Sequence, residues 1–556
     1  MKLNPIIKQL LNKRGIESDV DMEEFLSDKP KKTYDPFLLP DMEAGVDLIL
    51  SETSKGSKIC IYGDYDADGI TSTALMMSVL GHLTPKENID YYIPSRFDEG
   101  YGLNKEAIDT IAARGCNFII TVDCGSVSYN EVEYAKERGM KIMVTDHHNT
   151  AEIVPDCIVI NPKHPKSQYP FRDLSGCGVA FKLAQALQKR ANLPKQALSE
   201  VLDLVAIGTI GDIMPLIDEN RTMAKFGIKV INLGHREGLK RLIEGAALKM
   251  GNINSGNISF VIVPHLNASG RIEDASQAVE LLLGRCSDVE LEKIVEDILA
   301  KNVKRRNLQT ELFNLCDINI DEENLEDLIL MEADSKHEGI AGIVAGKLKE
   351  AYYRPAIILT PTGEDGSVLK GTGRSIEGLN LYELLKTQEH LFQKFGGHQN
   401  ACGFSMDATN LDSLKQGLKE QMKLIVEQNT DIFNKKYHID LELKTEELTM
   451  ELAEQLDLLA PFGNQNPRPL ILCKDVKIAD PKYMGNEMQH VRFYAKGQTA
   501  AKIQCILFNK AQNYDLYEMA INEVDIIGKL ESQVWQGTKR LQFLTEEIQI
   551  DGKVSE

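Results

Sequence analysis

At 556 residues the chain is too long for one hydrophobic core, and at roughly 150 residues per domain it should form three or four. Apolar residues at 43% and charged residues at 26% are ordinary for a globular protein, and no run approaches the ~20 apolar residues of a membrane span. The formal charge of −20, from 63 basic and 83 acidic side chains, argues against a partner held by global charge, such as nucleic acid. Bound metal would neutralise several acids, however, and a DNA path needs only a locally positive lining.

The opening Met1-Lys2-Leu3-Asn4-Pro5-Ile6-Ile7 lacks the long apolar core of a secretion signal, so the chain is expected in the cytoplasm, with no membrane partner. The ten cysteines are scattered without a C-x-x-C pair, which suits reduced, buried thiols and not a structural zinc site. Residues 1–55 read as polar helices with turns at Asp28-Lys29-Pro30 and Asp35-Pro36, expected to pack on the domain that follows.

From 56 to about 165, strand-like runs at 58–63, 89–93, 117–122, 141–145 and 157–160 alternate with helical patterns near 70–83, 104–114 and 129–138. That spacing predicts βαβ units and a parallel sheet. The first run ends in Gly63-Asp64-Tyr65-Asp66-Ala67-Asp68-Gly69, the third in Asp123 and the fourth in Asp146-His147-His148. Ligands of open α/β sheets bind beyond the carboxyl ends of the strands, so these acids and imidazoles suggest a cage for divalent metal. An EF-hand is excluded, because its loop needs an acid at the twelfth position and Leu75 stands there. The plainer alternatives are a solvated Asp-Gly turn and a triplet that caps the next helix. Mixed carboxylate and imidazole ligands suit Mn²⁺ or Mg²⁺, with a lean to Mn²⁺. Asp212, between apolar stretches in Ile207–Leu216, is costly to bury unpaired; a metal or an N-cap would resolve that, and taken alone it reads as the cap.

Residues 176–250 are helix-rich, and 276–318 form a long helical pattern broken near Gly284–Ser287, a connecting arm. Its Lys301, Lys304, Arg305 and Arg306 read as a solvated face or as the positive lining of a channel. A second α/β region at 325–428 has strands at 328–331 and 356–359 and glycine-rich turns at Gly371–Ser375 and Gly396–His398, whose backbone N–H groups could approach an anion. From 436 onward, β-like segments at 437–443, 469–478, 489–495, 501–508, 523–530 and 540–550 make a module the size of an OB-fold. Of its aromatics, Phe508 and Phe543 are expected in the barrel core. Trp535, in the turn-like Val534-Trp535-Gln536-Gly537, is expected at the surface to stack on a base.

Together these segments resemble the DHH phosphoesterase superfamily, named for the triplet at 146–148, and within it the RecJ family of single-strand-specific exonucleases. The likeness runs from about 56 to 550 through GDYDADG (63–69), VDCG (122–125), DHH (146–148), GTIGDIMPL (208–216) and LNASGR (266–271). It continues through HEGIAGIVAG (337–346), GTGRS (371–375), FGGH (395–398) and PFGNQNP (461–467). The resemblance implies a parallel-sheet DHH domain (56–285), a connecting helix (286–320), a DHHA1 substrate-binding domain (321–430) and an OB-fold barrel (436–556), after the helical segment 1–55. It implies that Asp66, Asp68, Asp123, His147, His148 and Asp212 hold two divalent ions, Asp123 bridging them and Asp64 in support. Arg96 and Tyr101 would seat the terminal phosphate and nucleotide, and Arg271 a further phosphate, unless it pairs with Glu273 or Asp274. His337, Thr372, Arg374, Ser375 and His398 would grip the DNA backbone. Thr372 stands where serine is frequent, and Lys336 where tryptophan is, which removes a stacking group. The implied activity is 5′-to-3′ hydrolysis of single-stranded DNA to 5′-mononucleotides in repair and recombination, alongside single-strand-binding protein and a RecQ-type helicase. The alternatives are another DHH phosphodiesterase, acting on oligoribonucleotides or cyclic dinucleotides, and a non-catalytic DNA-binding scaffold, which should have lost metal ligands.

Overall fold

Five short apolar runs become strands β1 (Ile59–Tyr62), β2 (Ile89–Tyr92), β3 (Phe118–Val122), β4 (Lys141–Thr145) and β5 (Ile158–Ile160) of a parallel sheet ordered β2-β1-β3-β4-β5. The computed structural model describes residues 3–362, 366–497, 502–535 and 538–550, without the side chains of 335, 516, 517, 534, 535 and 550. β1 and β3 are buried at every position because both faces of the sheet centre are covered, whereas the edge strand β2 carries Asp90 and is half-exposed. Ile59, Ile61, Phe118 and Ile120 face the helices Ala67–Leu80, Gly176–Ala191 and Leu202–Gly211, while Cys60, Tyr62 and Ile119 face Lys105–Ala113 and Tyr129–Glu137. Pairing of Tyr62 with Thr121, Val122 with Thr145 and Thr145 with Ile160 makes the strands end flush. The loops after β1, β3, β4 and β5 therefore start side by side.

Glu52, 3% exposed on the helix Met42–Ser54, accepts from Lys141 Nζ (2.6 Å), Lys55 Nζ (2.9 Å) and Ser57 Oγ (2.7 Å). The Lys141 bond, then those of Lys55 and Ser57, hold its carboxyl down to about 2 against an ordinary 4.5. A depressed carboxyl stabilises the fold above its unfolded pKa and ceases to as pH falls through the folded one. The urea midpoint of wild type should therefore exceed that of E52Q at pH 6 and converge on it between pH 4.5 and 2. A gap that stays constant with pH would contradict the assignment.

The helical pattern after 276 is two helices, Ser276–Leu283 and the arm Asp288–Ile318, with Gly284 in the left-handed region (φ 58°) between them. Ser287 starts the arm with a capping box to Glu290. At 31 residues the arm is roughly 46 Å long and spans from the first sheet to the second. That second sheet, β6 (Ile329–Glu332), β7 (Ala356–Thr362), β8 (Val368–Arg374), β9 (Phe392–His398) and β10 (Ala401–Asp407), is ordered β6-β7-β8-β10-β9, parallel only between β6 and β7. Three of its strands, β8 to β10, have no counterpart among the predicted ones.

The last module consists of β11 (Leu441–Glu442), β12 (Ile471–Met484), β13 (His490–Lys496), β14 (Lys502–Leu507), β15 (Glu523–Trp535) and β16 (Thr538–Ile550). The order β12-β13-β14-β16-β15 closes through a β12–β15 pairing into a five-stranded barrel, and β11 adds to β12. Phe493 and Phe543 are core, as expected for Phe543. Phe508 is not: it lies beyond the end of β14, 50% exposed, with the His490 ring edge-on at 5.1 Å. Trp535 ends β15, and its side chain lies outside the described residues.

The N-terminal segment divides between two partners, only one of which was expected. Ile7, Leu10 and Leu11 recur at helical spacing and, with Met22, enter the barrel's core beside Leu452 and Leu456; only the stretch from about Tyr34 onward packs on the first sheet. Arg221 ties these parts together. Its guanidinium donates to Leu459 O (2.8 Å), Ala460 O (2.9 Å) and Phe25 O (3.0 Å) and lies over the Phe25 ring.

Candidate metal centre

The flush strand ends carry the acids. Asp66 is the N-cap of the helix Ala67–Leu80, accepting from Asp68 N (2.9 Å) and Gly69 N (3.1 Å). Asp68 is buried, and its oxygens accept from Gly176 N (2.6 Å) and Cys177 N (2.9 Å) at the N-terminus of the next helix. Asp123 follows β3 with φ 62°, and its carboxylate lies against the N-terminus of the helix Gly176–Ala191. His147 Nε2 lies 3.2 Å from Asp123 Oδ1, 3.5 Å from Asp212 Oδ2 and 4.0 Å from Asp68 Oδ2. Asp212 is the C-cap of the helix Leu202–Gly211 and not an N-cap, so the cap reading fails and its carboxylate faces the cluster. Ligand atoms within 4.8 Å of one another form the sets Asp64/Asp66/Asp123, Asp68/His147/Asp212 and Asp123/Asp146/His147/His148.

Two glycines that carry no charge signal make this convergence possible. A Cβ on Gly176 would collide with the Asp123 carboxylate, and one on Gly208 would lie 2.5 Å from Asp68 Oδ1. Both bring a helix backbone against the acids.

Several of these atoms are buried with no hydrogen-bond partner: Asp64 Oδ1, Asp123 Oδ1, Asp212 Oδ2 and both nitrogens of His147. Burial, then the charge of neighbouring carboxylates, pushes Asp64 and Asp123 well above the usual carboxylate range, Asp68 up to about 7 and Asp212 up to about 8. Burial, then the His148 charge, lowers His147 to about 3, so it is neutral and able to bind a cation. Unpaired buried acids around a neutral imidazole are costly unless a cation neutralises them. The donor set fits divalent metal.

Asp146, absent from the expected ligands, is fully engaged. It accepts from Ser126 N (2.9 Å), His147 N (2.7 Å), His148 N (3.2 Å) and His148 Nδ1 (2.8 Å). Burial would raise its carboxyl, but the bond and charge of His148 hold it below the usual range. His148 responds oppositely: burial would lower it, and Asp146 lifts it to about 9. Asp146 thus holds the His148 ring through Nδ1, with Nε2 3.4 Å from Tyr101 Oη. D146N should lower activity about 10- to 100-fold, measured as initial rates with excess Mn²⁺ at a temperature where the variant is folded; a wild-type rate would show the contact to be idle.

Above the acids, guanidiniums converge. Arg96 lies over the Tyr65 ring at 4.8 Å. Arg271 donates to Gly339 O (2.9 Å), while Glu273 pairs with Lys301 instead. Burial, then Arg96 and Arg305, lowers Arg271 to about 9, and burial with Arg96 lowers Arg374. Lys301 and Arg305 are buried, Arg305 bonding Asn302 and Gln309, so the solvated-face reading holds only for Lys304 and Arg306. A chain of net charge −20 thus has a local cationic lining.

Of the other expected contacts, Tyr101 lies at the centre and the rest are dispersed. Tyr101 Oη is 3.1 Å from His148 Nδ1. His337 is buried with both ring nitrogens unpartnered. Thr372 pairs with Gly403 within the second sheet. Ser375 Oγ donates to Leu379 O (2.8 Å), and His398 is exposed at the end of β9. Ile213, directly after Asp212, has φ 55° and is 70% exposed. That left-handed backbone costs a β-branched residue about 1–2 kcal/mol.

An acid-and-imidazole parallel sheet, an arm to a second α/β sheet and a closed five-stranded barrel define a DHH-type phosphoesterase with an OB-fold. Residues 58–209 match the DHH family N-terminal domain, 326–424 the DHHA1 domain and 439–547 the RecJ OB domain. The chain is 36% identical over 557 residues to the single-stranded-DNA-specific exonuclease RecJ of Bacillus subtilis (strain 168), covering 99% of this chain and 68% of that one. It is 32% identical to the RecJ of Escherichia coli (strain K12), covering 98% and 96%. The crystal structure of RecJ with Mn²⁺ from Thermus thermophilus superposes with a TM-score of 0.83 at 26% identity, over 100% of this chain and 77% of that one. The corresponding Mg²⁺ complex gives 0.76 at 25% identity, over 99% and 76%. The chain belongs to the RecJ family of single-stranded-DNA-specific exonucleases. Among the described residues, no helix is long and apolar enough to cross a membrane.

Proposed function

We propose that this RecJ-family exonuclease degrades single-stranded DNA from its 5′ end, releasing 5′-mononucleotides, with Mn²⁺ or Mg²⁺ as cofactor. Two ions would be held by Asp66, Asp68, Asp123, His147, His148 and Asp212, with Asp64 beside them and Asp123 shared. The observation that carries this is the set of buried, unpartnered carboxylate and imidazole atoms at the flush strand ends. Divalent ions held by these residues would supply an activated water and offset charge on the attacking and leaving oxygens.

The chain's own groups do the rest. Asp146 orients His148, and Tyr101 stands against that imidazole. Arg96, Arg271 and Arg374 offer charge-assisted bonds to successive phosphates. The second sheet, with Thr372, Ser375 and His398, would grip the DNA backbone with His337 in support, and a narrow channel between the two α/β domains would exclude duplex on steric grounds. The barrel (436–556) would carry the trailing strand, with Trp535 and the half-exposed Phe508 as stacking surfaces. On this reading 56–285 is the catalytic domain, 286–320 the connector and 321–430 the substrate-binding domain. The cellular setting it implies is DNA repair and recombination in the cytoplasm, with single-strand-binding protein and a RecQ-type helicase supplying single strands.

A strand labelled at its 5′ phosphate tests this. With Mn²⁺ the label should appear at once as mononucleotide, while a 3′-labelled strand shortens as a ladder and duplex and RNA survive. Early release of a 3′ label, or equal digestion of RNA, would reject the proposed polarity or substrate.

A further inference from the structure

The turn Pro461–Pro467 is a motif to which the site above gives no role. It opens the C-terminal module, yet Asn464 reaches back to the loop that carries Asp212. Asn464 Nδ2 donates to Ile213 O at 2.8 Å, and Asn464 O accepts from Leu216 N at 2.9 Å. The two bonds clamp the loop on either side of Met214-Pro215. Gly463 permits the approach, since a Cβ there would lie 2.7 Å from Leu216 Cδ1.

The clamped loop has reason to relax. Ile213 is β-branched and left-handed, and its exposed side chain makes no core contact that would fix it. Its own helix supplies only Ile213 N→Ile210 O (3.2 Å) and Met214 N→Thr209 O (3.1 Å). Asp212, one residue earlier, is fixed on one side by the helix end and on the other by this turn, with Asn220 Nδ2→Pro215 O (3.1 Å) holding the loop beyond Met214. Its Oδ2 has no partner of its own. Other bonds anchor the Pro461–Pro467 turn without touching the Asp212 loop: Ser255 Oγ→Phe462 O (2.6 Å) and Arg14 Nη1→Asn466 Oδ1 (2.5 Å).

We infer that Asn464 is a positioning residue for the metal centre: by clamping Ile213 in its left-handed conformation it aims the Asp212 carboxylate at His147 and Asp68. Cation affinity is thereby coupled to the docking of the C-terminal module. This rests on the reading of Asp212 as a cation ligand.

The test is Mn²⁺ binding to the full chain, followed by isothermal titration and by loss of the free-ion electron paramagnetic resonance signal. N464A should bind Mn²⁺ about 10-fold more weakly, as removal of an orienting partner does. S255A, which removes a neighbouring anchor, should bind as wild type does. The double variant N464A/I213G should regain most of the lost affinity, because glycine holds a positive φ without a clamp. Wild-type affinity in N464A overturns the inference. So does a double variant as weak as N464A, since the loss would then come from loosened docking and not from the released turn. D212N separates the two levels: if it binds Mn²⁺ as wild type does, Asp212 is no ligand and the underlying reading fails, whatever N464A does.

Discussion

D123N binds single-stranded DNA but hydrolyses it at least ~10³-fold more slowly than wild type, a loss of about 4 kcal/mol of transition-state stabilisation. Asp123 belongs to two of the three ligand sets, so neutralising it weakens both candidate cation positions together. Asparagine is the cleaner substitution, because it tolerates the left-handed backbone at φ 62° as aspartate does, whereas alanine adds strain there. A second readout has the opposite sign. Asp123 is pushed well above the carboxylate range by burial and by Asp68 and Asp66, so metal-free D123N should unfold at a higher temperature than metal-free wild type. Turnover equal to wild type would remove Asp123 from the metal centre. A lower unfolding temperature without metal would show that its charge is already compensated within the chain.

K182M has the largest expected effect on stability, about 3–5 kcal/mol. Lys182 lies within the helix Gly176–Ala191, and its ammonium meets Glu219 at 2.6 Å with both side chains fully buried. It also donates to Thr33 Oγ1 (3.1 Å) and Tyr34 O (3.0 Å), which fastens the N-terminal segment to the first sheet. Burial lowers the ammonium pKa and Glu219 opposes that shift. Without Lys182, Glu219 keeps the Tyr169 hydroxyl at 2.5 Å but no opposite charge. Removing both charges as K182M/E219Q should recover most of the loss, and the urea midpoints of the two single variants and the double measure the coupling. If the double variant is as unstable as the sum of the singles, the pair is not coupled.

The first sheet was legible because a parallel strand covered on both faces must be apolar throughout, and runs such as Phe118–Val122 can be little else. The acids were legible because they stop those runs. The second sheet was harder to read. In β8 and β10 every other residue is half-exposed, and glycines take inward places: a Cβ on Gly371 would strike the Phe404 ring. Neither pattern resembles an apolar strand. Asp212 resembles a helix start in the sequence because an acid before an apolar run so often is one; its helix is the apolar run that precedes it. Gly176 and Gly208 could not be read at all, since their contribution is the side chain they lack. Phe508 shows the limit of alternation, which stops deciding a residue's side where the strand ends.

The continuous arm from Asp288 to Ile318 also sets a phase. A helix advances about 100° per residue. One codon gained or lost between its two contacts would therefore swing the second sheet a quarter-turn or more around the strut and carry Arg374 away from Arg96. Seven codons, about two full turns, would restore the azimuth and only widen the gap. Length change in this stretch should thus be tolerated in quanta, and the gauge of the gap becomes a property that evolution or design can step but not tune smoothly.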